Sequence, residues 1–437
     1  MKQTTAYKVF IKEYNHIFIN TLALYRKAVD FYIDVILKEW EIYKDCEGNY
    51  EILYSAESIT HHTKNHSDIR YDFDKRFYKF PSYLRRAAIA EAIGKVRSYY
   101  SNLKRWEKSD QKTKKPSLYS AGNTFPVYYE NNMYKVTDNK YRLKIKIYIR
   151  NTWDFIEVEL RKSDVDYIEK HCSNRKRLSP TLVKYGKKWS LTFSFEEKVT
   201  LDDKKKKDCK ILAVDLGINS ACTCSVMLND GTILDRQFLK LSREEDCLET
   251  AANRIKKAQQ NGNHKEPRLW SVAKGINKDI SVKTAKFIVK VAIENSVDMI
   301  VLEHLDTSGK IKGSKRQRLH LWKYKDVKKM VIVKAHRKGI RISTVTPINT
   351  SKLAYDGSGE VIRDKNNYSI CTFTTGKVYN CDLSASYNIG ARYFIREITK
   401  SLPETERLEA EAKVPELSKR SSCTLSTLIR LNALLSA

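Results

Sequence analysis

The sequence is poor in the residues and runs that mark fibrous, low-complexity or membrane-spanning chains. Glycine and proline number only 15 and 8 of 437 residues, which indicates a globular chain rather than a fibrous or disordered one. No apolar run approaches the roughly 20 residues that span a bilayer. Met1 is not followed by a secretory signal pattern. We therefore expect a soluble, intracellular protein.

Cysteines with the spacing of a metal knuckle are also missing. The nine cysteines are scattered and odd in number, which is typical of reduced thiols in a cytosolic compartment. A zinc knuckle needs two short-spaced pairs, and the sequence does not have two. Cys222 and Cys224 alternate as strand residues do, so we interpret them as two thiols on one face.

Acidic residues are few relative to basic ones. Lys and Arg number 81 against 52 Asp and Glu, which gives a formal net charge of +29. Such an excess repels itself in a compact fold unless a polyanion neutralises it, so nucleic acid is the leading partner. An anionic membrane surface is the competing explanation. The length predicts two or three domains.

The first hundred residues predict a strand followed by basic helices. Residues 5–12 have a strand pattern, and residues 15–43 carry apolar side chains at helical spacing. Residues 68–108 are helical after Pro81 and interleave cations with aromatic rings, which can meet phosphates and stack on bases. The predicted nucleic-acid contacts there are Arg85, Arg86, Arg97, Tyr99 and Arg105. For any one of them, a solvated basic helix face with aromatics in the core is an equally good explanation.

The middle of the chain predicts a small antiparallel sheet or barrel. Four segments alternate apolar and polar residues, namely 141–150, 155–160, 181–185 and 189–196. The charged run LDDKKKKDCK at 201–210 is interpreted as a linker into the second half.

The second half predicts an RNase H-like order of elements. Strands at 211–218, 222–228 and 232–239 follow one another, with the turn NDG between the last two. A long basic helical stretch runs to about Asn295. Then come a strand at 298–303, a helix near 324–338, a strand at 341–346 and a helix from about Asp382 through Ile395. The chain is therefore predicted to be an α/β multidomain protein.

Three acids stand at the ends of these elements. Asp215 ends the strand in AVDLGI, Glu303 ends the strand in IVLEHLD, and Asp382 opens the last helix in CDLSASYNIGAR. The predicted sheet brings them together. Each has an ordinary alternative: Asp215 as a turn residue, Glu303 as a salt-bridge partner, and Asp382 as a helix N-cap.

Clustered carboxylates repel one another unless divalent cations hold them. Oxygen ligands favour Mg²⁺ or Mn²⁺ over Zn²⁺. Two such ions roughly 3.5–4 Å apart would support phosphodiester hydrolysis that leaves 5′-phosphate and 3′-hydroxyl ends. We assign all three acids as catalytic residues and metal ligands.

At these motifs the chain resembles the TnpB family of transposon-encoded RNA-guided nucleases and their relatives, the compact type V CRISPR effectors. The resemblance covers the C-terminal half and extends to the basic segment LWKYKDVKKMVIVKAHRKGIRISTVTPINTS. It implies that Asp215, Glu303 and Asp382 are the three RuvC carboxylates. It also implies a guide RNA that pairs with one strand of a double-stranded DNA target, in a cytoplasmic, nucleoid-associated prokaryotic protein. Within the basic segment, the predicted nucleic-acid contacts are Lys323, Lys328, Lys334 and Arg337.

The same resemblance implies a domain plan. Residues 1–14 and 118–200 correspond to a wedge-like β-barrel domain, and residues 15–117 to a helical recognition lobe inserted in it. Residues 211–437 correspond to the RuvC domain, with a substrate-guiding insertion at 350–381. Many family members carry a four-cysteine zinc knuckle before the third acid, but this insertion has only Cys371 and Cys381, so we expect no zinc.

Two other functions are compatible with the residues. One is an unguided RNase H-like transposase or structure-selective nuclease, and the other is a guided nucleic-acid-binding protein that does not cleave. The sequence does not distinguish a transposon-derived guide RNA from a CRISPR-derived one. The tail at 398–437 ends in an apolar segment, which we expect to dock within the chain.

Overall fold

The computed structural model describes residues 1–12, 16–63, 69–109, 111, 113–118, 121–217, 221–305, 324–364 and 367–436. The chain divides into two compact units, one of residues 2–198 and one of residues 199–437 together with Met1. Both mix helices with sheets, which confirms the predicted α/β class. Within the described ranges, no helix combines the length and apolar character that crossing a membrane requires.

The first unit contains the N-terminal helices. They are α1 (Ile17–Lys38), α2 (Trp40–Tyr43), α3 (Asn49–Thr60), α4 (Phe73–Arg76), α5 (Ser82–Glu107) and α6 (Lys162–Cys172), with a short 3-10 helix at Ala121–Asn123. In α1, Phe18, Leu22, Tyr25 and Val29 recur at helical spacing and are buried. Helix α5 begins directly after Pro81, whose fixed φ suits a helix start, as predicted.

The strands of the first unit form two separate sheets. They are β1 (Lys2–Phe10), β2 (Tyr134–Val136), β3 (Arg142–Ile149), β4 (Thr152–Glu159), β5 (Lys176–Arg177), β6 (Thr181–Tyr185) and β7 (Lys188–Lys198). Strand β7 pairs antiparallel with β1, β5 and β6. Strands β2, β3 and β4 form an antiparallel meander. The predicted strands are present, although in two sheets and not one. The short strands β2 and β5 and helix α6 were not predicted, because such short elements show only a brief apolar pattern.

The second unit is built on a five-stranded sheet. Its strands are β8 (Ile211–Asp215), β9 (Cys222–Met227), β10 (Ile233–Leu239), β11 (Met299–Glu303) and β12 (Arg341–Val345), in the order β10-β9-β8-β11-β12. Strands β8, β9 and β10 are antiparallel, whereas β8, β11 and β12 are parallel. The parallel arrangement brings the carboxyl ends of β8 and β11 to the same edge.

Helices cover both faces of this sheet. They are α7 (Ser242–Gln260), α8 (Pro267–Glu294), α9 (Tyr324–His336), α10 (Cys381–Ser401), α11 (Glu404–Lys413) and α12 (Leu425–Ser436), with 3-10 helices at Lys206–Asp208 and Pro415–Ser418. Along β8, Ile211 and Ala213 face the core that contains α10 and α12. Leu212 and Val214 face the opposite core, with α8 and α9. Strand β8 is therefore buried on both faces, which explains its continuous apolar sequence.

A small fourth sheet lies within the insertion at 350–381. Strands β13 (Ile362–Arg363), β14 (Ile370–Thr372) and β15 (Val378–Asn380) pair antiparallel. Cys371 and Cys381 are buried beside Ala354 and Phe373, so both thiols contribute to the apolar cluster of this lobe. Burial raises the pKa of the Cys371 thiol to about 12, which keeps it protonated at neutral pH.

The segment predicted as a linker is packed onto the second unit. Cys209 is buried, the Arg341 guanidinium donates to the Lys204 carbonyl at 2.6 Å, and the Tyr393 hydroxyl donates to the Lys206 carbonyl at 2.9 Å. Residues 202–208, which include the lysine run, are exposed, so the segment packs through its backbone carbonyls and Cys209 while its charged side chains face solvent. Local composition could not reveal these contacts, because their partners lie more than 130 residues away in sequence.

Candidate active site

Asp215 is the last residue of β8 and lies where four buried apolar residues end. It pairs with Thr223 of β9 and is half-buried. Burial raises the pKa of its carboxyl well above the ordinary value of 3.8, and the negative charges of Glu303 and Asp382 raise it further. Arg363 opposes the shift. Asp215 therefore lies within electrostatic reach of both other predicted acids.

Glu303 ends β11 beside the end of β8. The parallel register matches Leu302 with Val214, so the next residue of each strand is a predicted acid. Glu303 is only 9% exposed. Burial raises its pKa above the ordinary 4.5, although a hydrogen bond from the Thr350 hydroxyl to Oε1 (2.5 Å) and the charge of Arg392 oppose this.

Asp382 lies in the first turn of α10. The Asn380 side chain caps this helix by accepting a hydrogen bond from the Leu383 amide at 2.9 Å. Burial raises the pKa of the Asp382 carboxyl, against the charge of Arg363. Helix α10 approaches the sheet closely at Gly390, where a Cβ atom would stand 2.2 Å from the Met227 sulfur.

These placements test the alternative structural roles of the three acids as turn residue, salt-bridge partner and helix N-cap. The cap of α10 is Asn380, so Asp382 is not needed for capping. Among the described residues, Glu303 forms no ion pair within 4.0 Å, and the Asp215 and Asp382 carboxylates accept no hydrogen bond. The structure brings the three acids to one edge of the sheet. Within the described part of the chain, the Asp215 and Asp382 carboxylates have no hydrogen-bond donor there.

The three acids offer only carboxylate oxygens as possible metal ligands. In the described ranges, no group of three or more His, Cys, Asp or Glu side chains is arranged to hold a metal ion. The chemistry of the set nevertheless suits a hard divalent cation, since it offers only carboxylate oxygens and accumulates like charge in a partly buried place.

A buried network that the sequence did not predict surrounds Glu303. Thr350, which holds the Glu303 carboxylate, is 3% exposed, and its carbonyl accepts a hydrogen bond from the Asn388 side chain at 3.0 Å. The Arg392 guanidinium, 5% exposed, donates to the carbonyls of Thr346 and Ile348. Asn388 and Arg392 lie one turn apart on α10, and polar residues inside its apolar pattern were the available signal.

The same arginine fastens the tail of the chain. Arg392 Nη2 donates to the Ser421 carbonyl at 2.8 Å, and Nε donates to the Cys423 carbonyl at 3.0 Å. Leu425, Leu428 and Leu431 then bury α12 in the core beside α10. The tail docks within the chain, as expected, and shares its anchor with the loop that carries Thr350.

The predicted basic contacts of α5 are of two kinds. Arg85 is 5% exposed, and its guanidinium donates twice to Glu57, so it belongs to the core of the unit. Arg97 donates to the carbonyls of Tyr43 and Cys46. We correct the prediction for Arg85, because its buried guanidinium is engaged by the protein itself, whereas Arg97 is half-buried, donates to these carbonyls through Nη2 and stays a prediction. Arg86 and Arg105 are exposed and Tyr99 is half-buried, which leaves their predictions standing.

The predicted basic contacts of the second unit follow α9. Lys328 and Lys334 lie on the helix and Arg337 follows its end, and all three are half-buried. Partial burial lowers the pKa of Lys328. Lys323 lies outside the described residues. These contacts stay predictions.

Comparison with known proteins extends the likeness beyond the motifs. The model of the Aq_aa04 family matches residues 3–149, a part of the chain that the acidic motifs do not cover. No curated protein sequence matches the chain. Cas12f1, solved with an sgRNA and target DNA, is similar over 84% of this chain and 81% of its own, with a TM-score of 0.51 and 17% identity.

A second solved structure gives the same result. The mini-RNA-guided endonuclease CRISPR-Cas_phi3 is similar over 89% of this chain and 92% of its own, with a TM-score of 0.50 and 11% identity. At such identities the likeness concerns the fold. The predicted resemblance to compact type V CRISPR effectors is confirmed at that level.

Proposed function

We propose that the protein is an RNA-guided DNA endonuclease with a single RuvC-type site formed by Asp215, Glu303 and Asp382. The observation that carries the proposal is the meeting of three carboxylates from β8, β11 and α10, each with a raised pKa. Groups with such perturbed pKa values cluster at functional sites. The fold-level likeness to Cas12f1 and CRISPR-Cas_phi3 supports a guide RNA and a DNA target as partners.

Asp215, Glu303 and Asp382 are the residues that would hold Mg²⁺ or Mn²⁺. Two such ions would activate a water molecule and stabilise the leaving 3′ oxygen of a phosphodiester, giving 5′-phosphate and 3′-hydroxyl ends. The protein's own part is to bring the three acids to one edge of the sheet and to orient Glu303 through Thr350. Arg363 lies close enough to lower the pKa of both aspartates, and we propose that it helps to keep them ionised.

The domain plan belongs to the same proposal. Residues 211–437 act as the RuvC domain, residues 15–117 as the recognition lobe, and residues 1–14 and 118–200 as the wedge. The lobe at 350–381 guides substrate towards the acids. Its strand β15 leads directly into α10 two residues before Asp382, which supports this role.

The decisive experiment combines RNA sequencing with cleavage. RNA that copurifies with the full chain is sequenced, and its DNA-pairing segment is replaced by a chosen sequence. Cleavage of duplex DNA that matches the new segment is then measured with Mg²⁺ or Mn²⁺. Asp215→Asn should reduce cleavage by about 10³-fold or more, since the lost charge stabilisation amounts to several kcal/mol. DNA binding should remain. Asp203→Asn, an exposed acid of the same unit, is the matched control.

The possible results separate the alternatives. Retained cleavage by the Asp215 variant would exclude the proposed site. Cleavage without a defined RNA would identify an unguided nuclease, and RNA-dependent binding without cleavage by the unaltered protein would identify a guided binder. Ligation of the products tests the predicted 5′-phosphate ends.

A further inference from the structure

A groove lies along the C-terminal half of α5, within residues 2–198. It is bounded by one face of the helix and by the segment 113–118, and it encloses about 810 Å³. Glu91, Lys95, Tyr99 and Asn102 recur at helical spacing along this face. A volume of this size matches pockets that enclose a small ligand, so it suits a nucleotide or two and not a duplex.

The charge of the groove favours an anion. Lys95, Arg105 and Lys114 line it, and Glu91 is the one acid among the described lining residues. Glu91 already lies 4.0 Å from Lys95. Neither Arg105 nor Lys114 forms an ion pair with any residue that the structure describes. Two cations of the groove are therefore available to a phosphate backbone.

Two aromatic side chains line the groove in fixed positions. The Trp106 indole donates from Nε1 to the Thr113 carbonyl at 2.8 Å, which ties the end of α5 to the opposite wall. Tyr99 packs on Tyr100 with ring centroids 5.3 Å apart, and Tyr100 stacks on Trp40 at 4.3 Å. Held rings beside unpaired cations are the arrangement that binds single-stranded nucleic acid by base stacking.

The remaining lining favours RNA over DNA. Short hydroxyl and amide side chains line the groove, namely Ser98, Asn102, Ser109, Thr113 and Ser117. Such groups both donate and accept hydrogen bonds, as the ribose 2′-hydroxyl does. We propose that this groove binds a short single-stranded RNA segment, with bases on Tyr99 and Trp106 and phosphates on Arg105 and Lys114. The inference rests on the RNA partner proposed above but not on DNA cleavage.

Gly94 provides a way to fill the groove without changing its charge. This helical glycine lines the groove, and an added Cβ atom would meet nothing within 4 Å. Leucine is also a better helix former than glycine. Gly94→Leu should therefore fold and occupy space that the RNA would use.

The test measures binding of a labelled, unstructured 12-nucleotide RNA to the full chain by fluorescence anisotropy at several salt concentrations. Arg105→Ala with Lys114→Ala should weaken binding about tenfold and reduce the logarithmic salt slope by about 1.4, since each phosphate contact contributes about 0.7. Lys104→Ala with Lys108→Ala removes the same charge from exposed positions of the same region, outside the groove. This control should change affinity less than twofold, and Gly94→Leu should weaken binding about fivefold.

Other results would overturn the inference. If both double variants lose affinity equally, the groove is not a specific site. If the unaltered protein does not bind the 12-nucleotide RNA although a defined RNA copurifies with it, the groove assignment fails while the proposed RNA partner stands. A DNA strand of the same sequence should bind more weakly, and an equal or larger groove-dependent loss with DNA would overturn the assignment to RNA. Photocrosslinking of 4-thiouridine RNA should label the peptide that contains Tyr99 and Trp106, and labelling elsewhere only would contradict it.

Discussion

The two units of the chain bury charge in opposite ways. In residues 2–198, Arg85 is surrounded by acids: Glu57 Oε1 accepts hydrogen bonds from its Nε at 3.2 Å and Nη2 at 3.1 Å, and Asp74 lies 4.0 Å from Nη1. The buried cation is neutralised where it stands. Such a group belongs to the architecture and needs no ligand.

In residues 199–437, like charges are gathered instead. Burial and mutual repulsion raise the pKa of Asp215, and its nearby cation is the exposed Arg363. A group of this kind destabilises the fold unless something else supplies positive charge. The comparison shows that burial alone does not mark a functional charge. A functional charge is marked by burial without an opposite charge beside it. The following substitutions test that difference.

The largest effect is expected for Arg85→Ala. Removing the buried partner of this ion pair leaves Glu57 with only the more exposed Arg86 and should cost about 3–5 kcal/mol of unfolding free energy. Arg86→Ala is the matched control, because its Nε lies 3.6 Å from Glu57 but its side chain is 48% exposed. The control should cost less than about 1 kcal/mol. Urea unfolding followed by tryptophan fluorescence measures both, and similar costs would contradict the contrast.

The next effect concerns the hydrogen bond that the Thr350 hydroxyl donates to Glu303 in the acidic cluster. Thr350→Val removes the donor to Glu303 at nearly constant volume, and loss of a buried partner costs about 1–3 kcal/mol. We expect cleavage to fall about 10- to 100-fold. Thr350→Ser keeps the hydroxyl and should stay within a few-fold of the unaltered protein. Equal loss in both variants would show that packing, and not the hydrogen bond, matters.

A smaller effect of opposite sign is expected for Asp215→Asn. Removing a repelled carboxylate should stabilise the metal-free protein by about 1 kcal/mol, or raise its melting temperature by about 2–4 °C. Thermal unfolding in a chelator measures this change. Asp203→Asn should leave the melting temperature unaltered. A destabilised Asp215 variant would show that the carboxylate has a structural partner after all.

The smallest effect is expected from pH. Because the folded pKa values of Asp215, Glu303 and Asp382 lie above the ordinary 3.8 and 4.5, the folded state takes up protons before the unfolded state does. Their contribution to stability therefore rises as pH falls from neutrality towards those ordinary values. The difference in unfolding free energy between the unaltered protein and Asp215→Asn should shrink between pH 7 and pH 5, in chelator. A constant difference would contradict the raised pKa.

The meeting of the acids could be predicted because it follows from topology. Asp215 and Glu303 each end a continuous apolar run, and parallel strands place such ends at one edge of a sheet. The position of Asp382 could be predicted because it opens an apolar helix. The cap itself was missed, since Asn380 and Asp382 are both good N-caps and only the backbone shows which one is used.

Pairings over long sequence distance could not be predicted. Arg85 and Arg86 are adjacent and chemically identical, and the choice of which faces the core depends on Glu57 from another helix. Thr350 reaches Glu303 across 47 residues without any local pattern. Periodicity identifies which faces are buried, but the partner of a polar side chain is set by the tertiary fold.

The anchoring of the tail by Arg392 has a genetic consequence. A stop codon placed just after codon 401 would leave all three acids encoded. The product would nevertheless lack the Ser421 and Cys423 carbonyls, so Arg392 would keep a buried positive charge with two of its four backbone acceptors removed. In a library of truncated genes, nonsense mutations from codon 402 to codon 421 are therefore expected to behave as loss-of-function alleles, although they delete no residue of the acidic cluster.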